Sequence, residues 1–249
     1  MFKYQWDWGI ILSEVPGTDG EYYYQWLIKG FELTLSVALS AWILALILGA
    51  IIGTARTAPS KWLSWPATIY VEVFRNIPLL AQLFFWFFAL PELLPTAAGD
   101  WMKQRMPYPE FIIGTLGLGL FTAARVAEQV RTGILALPRG QKNAGLAMGF
   151  TLTQTYRYVL LPNAFRIIIP PLTSEFMNMF KNSAVTYGIG LTELYFQLRQ
   201  ITGDYAPGNI IEVTAYVTLI YLVMAFIVNR GMAWVERKVA IPGTIGGKR

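Results

Sequence analysis

Between Arg139 and Arg166 the chain reads RGQKNAGLAMGFTLTQTYRYVLLPNAFR, a basic, glycine-punctuated stretch with no carboxylate and an apolar run on either side. Connections between packed helices are commonly about 2–8 residues long. This one is long enough to form helices of its own. Lys and Arg near span ends are biased to the cytoplasm, so the stretch is expected to face the compartment that holds ATP and to act as a docking surface.

The remainder of the 249 residues fits that setting. Hydrophobic residues make up 55% of the chain, aromatic residues 15% and charged residues only 14%, against about 25% charged in a soluble domain. A net charge of +5 could signal nucleic acid in a soluble protein, but here the basic residues cluster beside apolar runs, as topology requires. The expected partner is therefore the lipid bilayer and not nucleic acid. The chain has no Cys and no His. That rules out disulfides and thiolate metal sites and removes the commonest general base, so an enzyme ranks last among the function classes. No metal site and no cofactor are expected in this chain. Met1 to Trp8 lacks a basic segment leading into an apolar one, so no cleaved signal peptide is expected.

Five runs have the roughly 17–25 residues that cross a bilayer core: Leu33 to Ala55, about Trp62 to Leu90, Phe111 to Leu137, about Ala164 to Leu191, and Ile210 to about Trp234. The second is interrupted by Glu72, Arg75 and Pro78. The third contains Arg125, Glu128 and Arg131. The fourth is expected to break at Pro170 and Pro171 and again near Lys181, Asn182 and Ser183. Arg56 and Lys61, the Arg139–Arg166 stretch, and Arg230, Arg237, Lys238, Lys248 and Arg249 fall on one side if five spans alternate. That places the N-terminus outside and the C-terminus in the cytoplasm. Tyr22, Tyr23, Tyr24, Trp26, Trp62 and Trp65 suit interfacial anchors.

Ionisable residues at depth usually face a bundle interior or an aqueous cavity, since each costs about 2.5–3.5 kcal/mol in hydrocarbon. At about 1.5 Å per residue, Arg75 and Arg125 both lie roughly 20 Å into their runs, near mid-membrane. Two readings stand together. Glu72 with Arg75, Arg125 with Glu128, and Glu128 with Arg131 are each three residues apart and can pair on one helix face; the same groups can also line a substrate path. Prolines inside spans free backbone groups, as transporters do around substrate. Glu32 and Glu175 read as packing or helix-terminus groups near the ends of their runs.

The chain lacks the phosphate-binding loop of ATPases, because the terminal GTIGGKR follows Pro242 and ends in Arg249 where a glycine and a hydroxyl would be needed. Active transport would therefore need a partner. Within the basic stretch, Gly149 permits a sharp turn between two short helices, and Pro162 suits the start of the fourth span. The segment NAGLAMGFTLTQTYRYVLLP resembles the Glu-Ala-Ala loop of ABC importer permeases. Gly149, Leu161 and Pro162 match that pattern, Val159 replaces its usual isoleucine, and Asn143, Ala144 and Gly145 stand where Glu-Ala-Ala would be. VEVFRNIPLLAQ, AEQVRTGILALPRGQ and PPLTSEFMNMFKNSAV are similar to the polar amino acid subgroup, and FTAARVAEQVR and VERKV resemble its glutamate/aspartate branch.

The resemblance implies an all-α polytopic protein of the type I ABC importer permease fold, with five transmembrane helices and a cytoplasmic coupling-helix insert in a single permease domain, 1–249. Its parts would be an outer-face N-terminal segment 1–28, a coupling insert 138–163 and a cytoplasmic tail 235–249, in the bacterial cytoplasmic (inner) membrane. The implied partners are a second permease, identical or paralogous, two copies of a cytoplasmic ABC ATPase that binds ATP and Mg, and an extracytoplasmic amino acid-binding protein. Arg139, Gly140, Asn143, Ala144, Gly145, Gly149, Arg157, Leu161 and Pro162 would couple to the ATPase. Arg75, Arg125, Glu128, Glu72 and Lys181 would contact substrate, the two guanidinium groups suiting the two carboxylates of glutamate or aspartate. The alternative is a secondary transporter or channel that works without an ATPase. The absence of an evident internal repeat argues against it.

Overall fold

The computed structural model describes residues 4–239. Lys3, the expected tail from residue 240 onward with Lys248 and Arg249, and the side chain of Arg139 lie outside the described residues. Within them the chain is helical, with no strand and one isolated antiparallel bridge between Glu14 and Tyr22. Helix α1 (Tyr23–Thr57) has 35 residues, roughly 52 Å at about 1.5 Å per residue, which exceeds the ~30 Å hydrocarbon core. It starts well before Leu33, so the Tyr23, Tyr24 and Trp26 belt is helical and does not precede the span.

The second expected span is two helices, not one. Helix α2 (Lys61–Asn76) ends where Ile77 turns extended, at φ −93° and ψ 130°. The cause is Pro78, which drives the preceding residue out of the helical region. The chain resumes as α3 (Leu79–Phe84), a π turn at Phe85–Ala89 and α4 (Leu90–Leu93), followed by α5 (Thr96–Gln104). Helix α6 (Pro109–Leu135) carries the Arg125, Glu128, Arg131 group, and the basic stretch forms α7 (Arg139–Ala147) and α8 (Leu152–Thr155).

Helix α9 (Leu161–Ser183) corrects another expectation, since Pro170 and Pro171 lie inside it without breaking it. Proline is tolerated in membrane helices because other groups satisfy the freed backbone. The run changes character only after Ser183, as a 3-10 turn at Ala184–Ile189 that stops at Gly190, φ +88°. Helices α10 (Leu194–Gln200) and α11 (Ile210–Val239) complete the order. Tyr23–Thr57, Pro109–Leu135 and Pro207–Val239 are each long and apolar enough to cross a membrane. Lys61–Asn76 and Leu79–Leu93 have the required length and apolarity only when taken together, as a broken span or a re-entrant loop. The expected fourth span, α9, has the length at 23 residues, with its apolar residues diluted by Arg166, Glu175 and Lys181.

Contacts divide the chain into two units. The first comprises residues up to Ala41, Leu79–Leu118 and Met179–Phe226. Its core gathers Val15, Leu27, Leu194, Ile201, Val213 and Val217. Fully buried Glu193 caps α10, accepting from the backbone N–H of Tyr195 and Phe196 and from the hydroxyls of Thr34 and Tyr221. The second unit comprises Trp42–Pro78, Gly119–Asn178 and the chain from Ile227. There α1 meets α6 at Gly49 and Gly53: a Cβ on either glycine would stand 2.5 Å from Val126 Cγ1 or from the Ala127 carbonyl oxygen, respectively. Small residues four apart allow this approach between membrane helices. Tyr70 of α2 donates to the Leu120 carbonyl of α6 at 2.7 Å.

Candidate functional site: a charged cavity and a docking insert

All of the expected site residues except Lys181 fall in the second unit. Arg75, Arg125, Glu128, Gln129 and Glu175 line a cavity of about 230 Å³. Pockets for drug-sized ligands run from about 300 to 1,000 Å³, so this one is on the scale of a single amino acid. Helices α2, α6 and α9 supply the lining. On α6, Arg125 and Gln129 share a face because they are four residues apart.

Of the three ion pairs that spacing along one helix suggests, only the one between Glu128 and Arg131 forms. Glu128 does pair with Arg131, at 2.6 Å from Nη2 and 3.2 Å from Nε. Its carboxylate also accepts from Arg56 of α1 and lies 3.8 Å from Arg75. Glu72 lies 3.7 Å from Arg56 and is not paired with Arg75. Arg125 is not paired with Glu128; it lies 3.8 Å from Glu175 and 4.9 Å above the Phe121 ring. The reason is the close contact of α1 and α6 at Gly49 and Gly53, which brings Arg56 to Glu128 and leaves Arg125 facing α9.

Two expectations about Glu175 and Lys181 change as well. Glu175 sits inside α9 and lines the cavity, because that helix does not end at the proline pair. Glu32 likewise lies inside α1 and is exposed. Lys181 is exposed in the last turn of α9, belongs to the first unit and does not line this cavity. Glu72 is exposed and also lies off the lining.

Arg56 was expected only as a topology charge, and Gln129 carries no charge to mark it. The side chain of Arg56 is only 9% exposed. Gln129 donates from Nε2 to the Pro171 carbonyl at 3.5 Å. Two buried cavity atoms have no hydrogen-bond partner, the donor Arg125 Nε and the acceptor Gln129 Oε1. Buried polar atoms are nearly always paired, so each fits a ligand group of the opposite kind.

The insert forms the two short helices that Gly149 suggested. Gly149 has φ +86°, a conformation that costs other L-residues roughly 1–2 kcal/mol, and the Phe150 N–H closes the turn on the Gly145 carbonyl at 3.1 Å. Thr151 and Gln154 then form a reciprocal cap on α8. Gly145 faces inward, where a Cβ would meet Thr155 Cγ2 at 2.8 Å. Gly140 stands in open space and Asn143 and Ala144 are exposed. Arg157 lies 5.6 Å over the Tyr158 ring, in a π turn at Tyr156–Leu160 that runs into Leu161 and Pro162. Pro162 has no N–H to continue an α ladder, which places the wider turn just before it. Leu146, Met148, Phe150, Leu152 and Tyr158 are exposed.

Comparison with known proteins agrees with this architecture. Residues 45–241 match the family described as binding-protein-dependent transport system inner membrane component. The chain is 48% identical over 245 residues to the glutamate/aspartate import permease protein GltJ of Escherichia coli strains K12 and O6:H1, covering 98% of both chains. It is 26% identical over 237 residues to GltK, a glutamate/aspartate import permease protein of the O6:H1 strain, covering 95% of this chain and 100% of that one. A solved amino acid ABC transporter with histidines has a chain that is similar with a TM-score of 0.72 and 30% identity, covering 87% of this chain and 95% of that one.

Proposed function

The chain belongs to the family of binding-protein-dependent transport system inner membrane components, and from that membership we propose that it is the permease subunit of an ATP-driven importer of glutamate and aspartate. It is a multi-pass membrane protein with an all-α permease fold. The observation that carries the substrate is the pair of guanidinium groups, Arg75 and Arg125, at one amino-acid-sized cavity. Around it four guanidinium groups, Arg56, Arg75, Arg125 and Arg131, face three carboxylates, Glu72, Glu128 and Glu175. That leaves one excess positive charge, which complements the single net negative charge of an acidic amino acid. A guanidinium holds a carboxylate through parallel N–H donors, and Arg125 Nε has a donor to offer.

The 138–163 insert docks on a cytoplasmic ATPase through its exposed apolar residues and its basic residues, and that partner binds ATP and Mg. GltJ and GltK support pairing with a second, paralogous permease, beneath an extracytoplasmic binding protein. The N-terminus lies outside and the C-terminus in the cytoplasm, in accord with the basic connections. Transport proceeds by alternating access around the cavity. The test is uptake by proteoliposomes holding the permeases and ATPase, with binding protein supplied, for acidic, neutral and basic amino acids. Arg125→Ala is expected to lose at least tenfold for glutamate and aspartate. Unchanged selectivity in that variant removes the assignment.

A further inference from the structure

We infer that Glu175 and the side-chain oxygen of Gln129 form the subsite that receives the α-ammonium of the transported amino acid; this rests on the reading of the cavity as an acidic amino acid site. Glu128 is the other carboxylate on the lining, and the geometry takes that task away from it. Glu128 already accepts from Arg56 and Arg131 and lies 3.8 Å from Arg75. An added ammonium would have to displace a guanidinium from it. Glu175 has a single ion-pair contact, to Arg125 at 3.8 Å, longer than a hydrogen bond. Its side chain is only 14% exposed, and an anion so placed calls for a cation close enough to donate.

Gln129 makes the same point independently. Its Nε2 faces the Pro171 carbonyl at 3.5 Å, and its Oε1 is a buried acceptor without a donor. Across the same lining, Arg125 Nε is a buried donor without an acceptor. The two unpaired atoms have opposite hydrogen-bonding sense, as the ammonium and carboxylate ends of a zwitterion require. A substrate carboxylate would also take Arg125 as its partner, loosening Arg125 from Glu175. The freed carboxylate then meets the ammonium. In this way the site tells an amino acid from a plain dicarboxylate, a distinction that two arginines alone do not make.

The test uses the purified permease–ATPase complex, nucleotide-free, with bound radiolabelled glutamate measured by equilibrium dialysis and displaced by unlabelled glutamate or by glutarate, the same dicarboxylate without the amino group. Wild type is expected to bind glutamate at least tenfold more tightly than glutarate. In Glu175→Gln that ratio is expected to fall below threefold, through weaker glutamate binding with glutarate unchanged or tighter. Gln129→Leu should narrow it in the same direction, and carries the test if the first variant does not assemble. A wild-type ratio preserved in both variants, or parallel loss of both ligands, overturns the inference. Failure of the cavity reading looks different: Arg125→Ala then binds glutamate and glutarate as wild type does.

Discussion

Adding one methyl group at Gly53 tests the packing that sets the charged cavity. A Cβ there would lie 2.5 Å from the Ala127 carbonyl oxygen, 2.7 Å from Val130 Cβ and 3.0 Å from Ala127 Cα. Ordinary C···O approach is about 3.3–3.6 Å, so α1 and α6 must separate by roughly 0.8 Å at this level. Two of the three obstructing atoms are backbone, and no rotamer change relieves them. Overpacking of this kind costs about 1–3 kcal/mol, and for a chain of this size each kcal/mol lowers Tm by roughly 2–4 °C. Gly53→Ala is therefore expected to lower the Tm of the purified complex by about 2–12 °C. Uptake should fall with it, since Arg56, one turn further along α1, must reach Glu128 on α6. Gly231→Ala is the control, because its Cβ meets nothing within 4 Å. In a helix interior that exchange is favourable by roughly 0.5–1 kcal/mol. If Gly53→Ala matches Gly231→Ala in Tm and uptake, the close approach of α1 and α6 is wrong.

Gly149→Pro cannot hold φ +86°, because proline fixes φ near −65°; on the proposed coupling role, phosphate release by the reconstituted importer should continue while uptake falls at least tenfold. Tyr156→Phe removes the hydroxyl that donates to the Thr57 carbonyl at 2.8 Å, a loss of about 0.5–1.5 kcal/mol. It should lower Tm by a few degrees and raise the phosphate released per amino acid imported. Glu21 donates nothing and accepts from Lys29 and the Trp26 indole, which hold its carboxyl below the ordinary 4.5. A depressed carboxyl pKa gives stability that is present above 4.5 and lost as pH falls through the lower folded value. Between pH 5 and pH 3 the Tm of wild type should therefore drop more than that of Glu21→Gln, and an equal drop refutes the pairing.

The runs that became Tyr23–Thr57, Pro109–Leu135 and Pro207–Val239 were readable because apolar length is a property of the local sequence. The helical insert was readable for a related reason: Gly149 announces a left-handed turn, and Thr151 with Gln154 has the spacing of a reciprocal cap. Charge partners were not readable in the same way. Glu72 with Arg75 and Arg125 with Glu128 satisfied the three-residue rule along one helix, yet the fold pairs Glu128 with Arg56 and Arg125 with Glu175 across helices. That choice depends on how closely α1 meets α6, which no single helix encodes. Gly49 and Gly53 carry half of the signal as small residues four apart; the facing Val126 and Ala127 complete it only in space. Glu175 was misplaced because the proline pair before it was expected to end its helix. Gln129 left no trace in a search for charge, although its four-residue spacing from Arg125 put it on the lining face.

The same pairings join the insert to the cavity. Tyr156, in the turn between α8 and α9, donates to the carbonyl of Thr57 at the end of α1, one of the terminal carbonyls a helix leaves without a partner. The preceding residue, Arg56, holds Glu128, and Glu128 lies next to Gln129 on the cavity wall. Gly145 packs against Thr155, so α7 and α8 transmit a push on either to Tyr156. On the proposed coupling role, a displaced insert would bear on α1 through this hydrogen bond, and α1 meets α6 at the Arg56–Glu128 ion pair and at Gly49 and Gly53. Packed protein interiors shift between discrete arrangements and do not stretch, so a displacement that breaks the Arg56–Glu128 contact would leave Glu128 to Arg131, at 2.6 Å, and to Arg75, 3.8 Å away. Arg75 is one of the two cations that recommend the cavity for an acidic amino acid. On the proposed function, engaging it with Glu128 would withdraw it from a bound carboxylate and so link displacement of the insert to a lower affinity of the site.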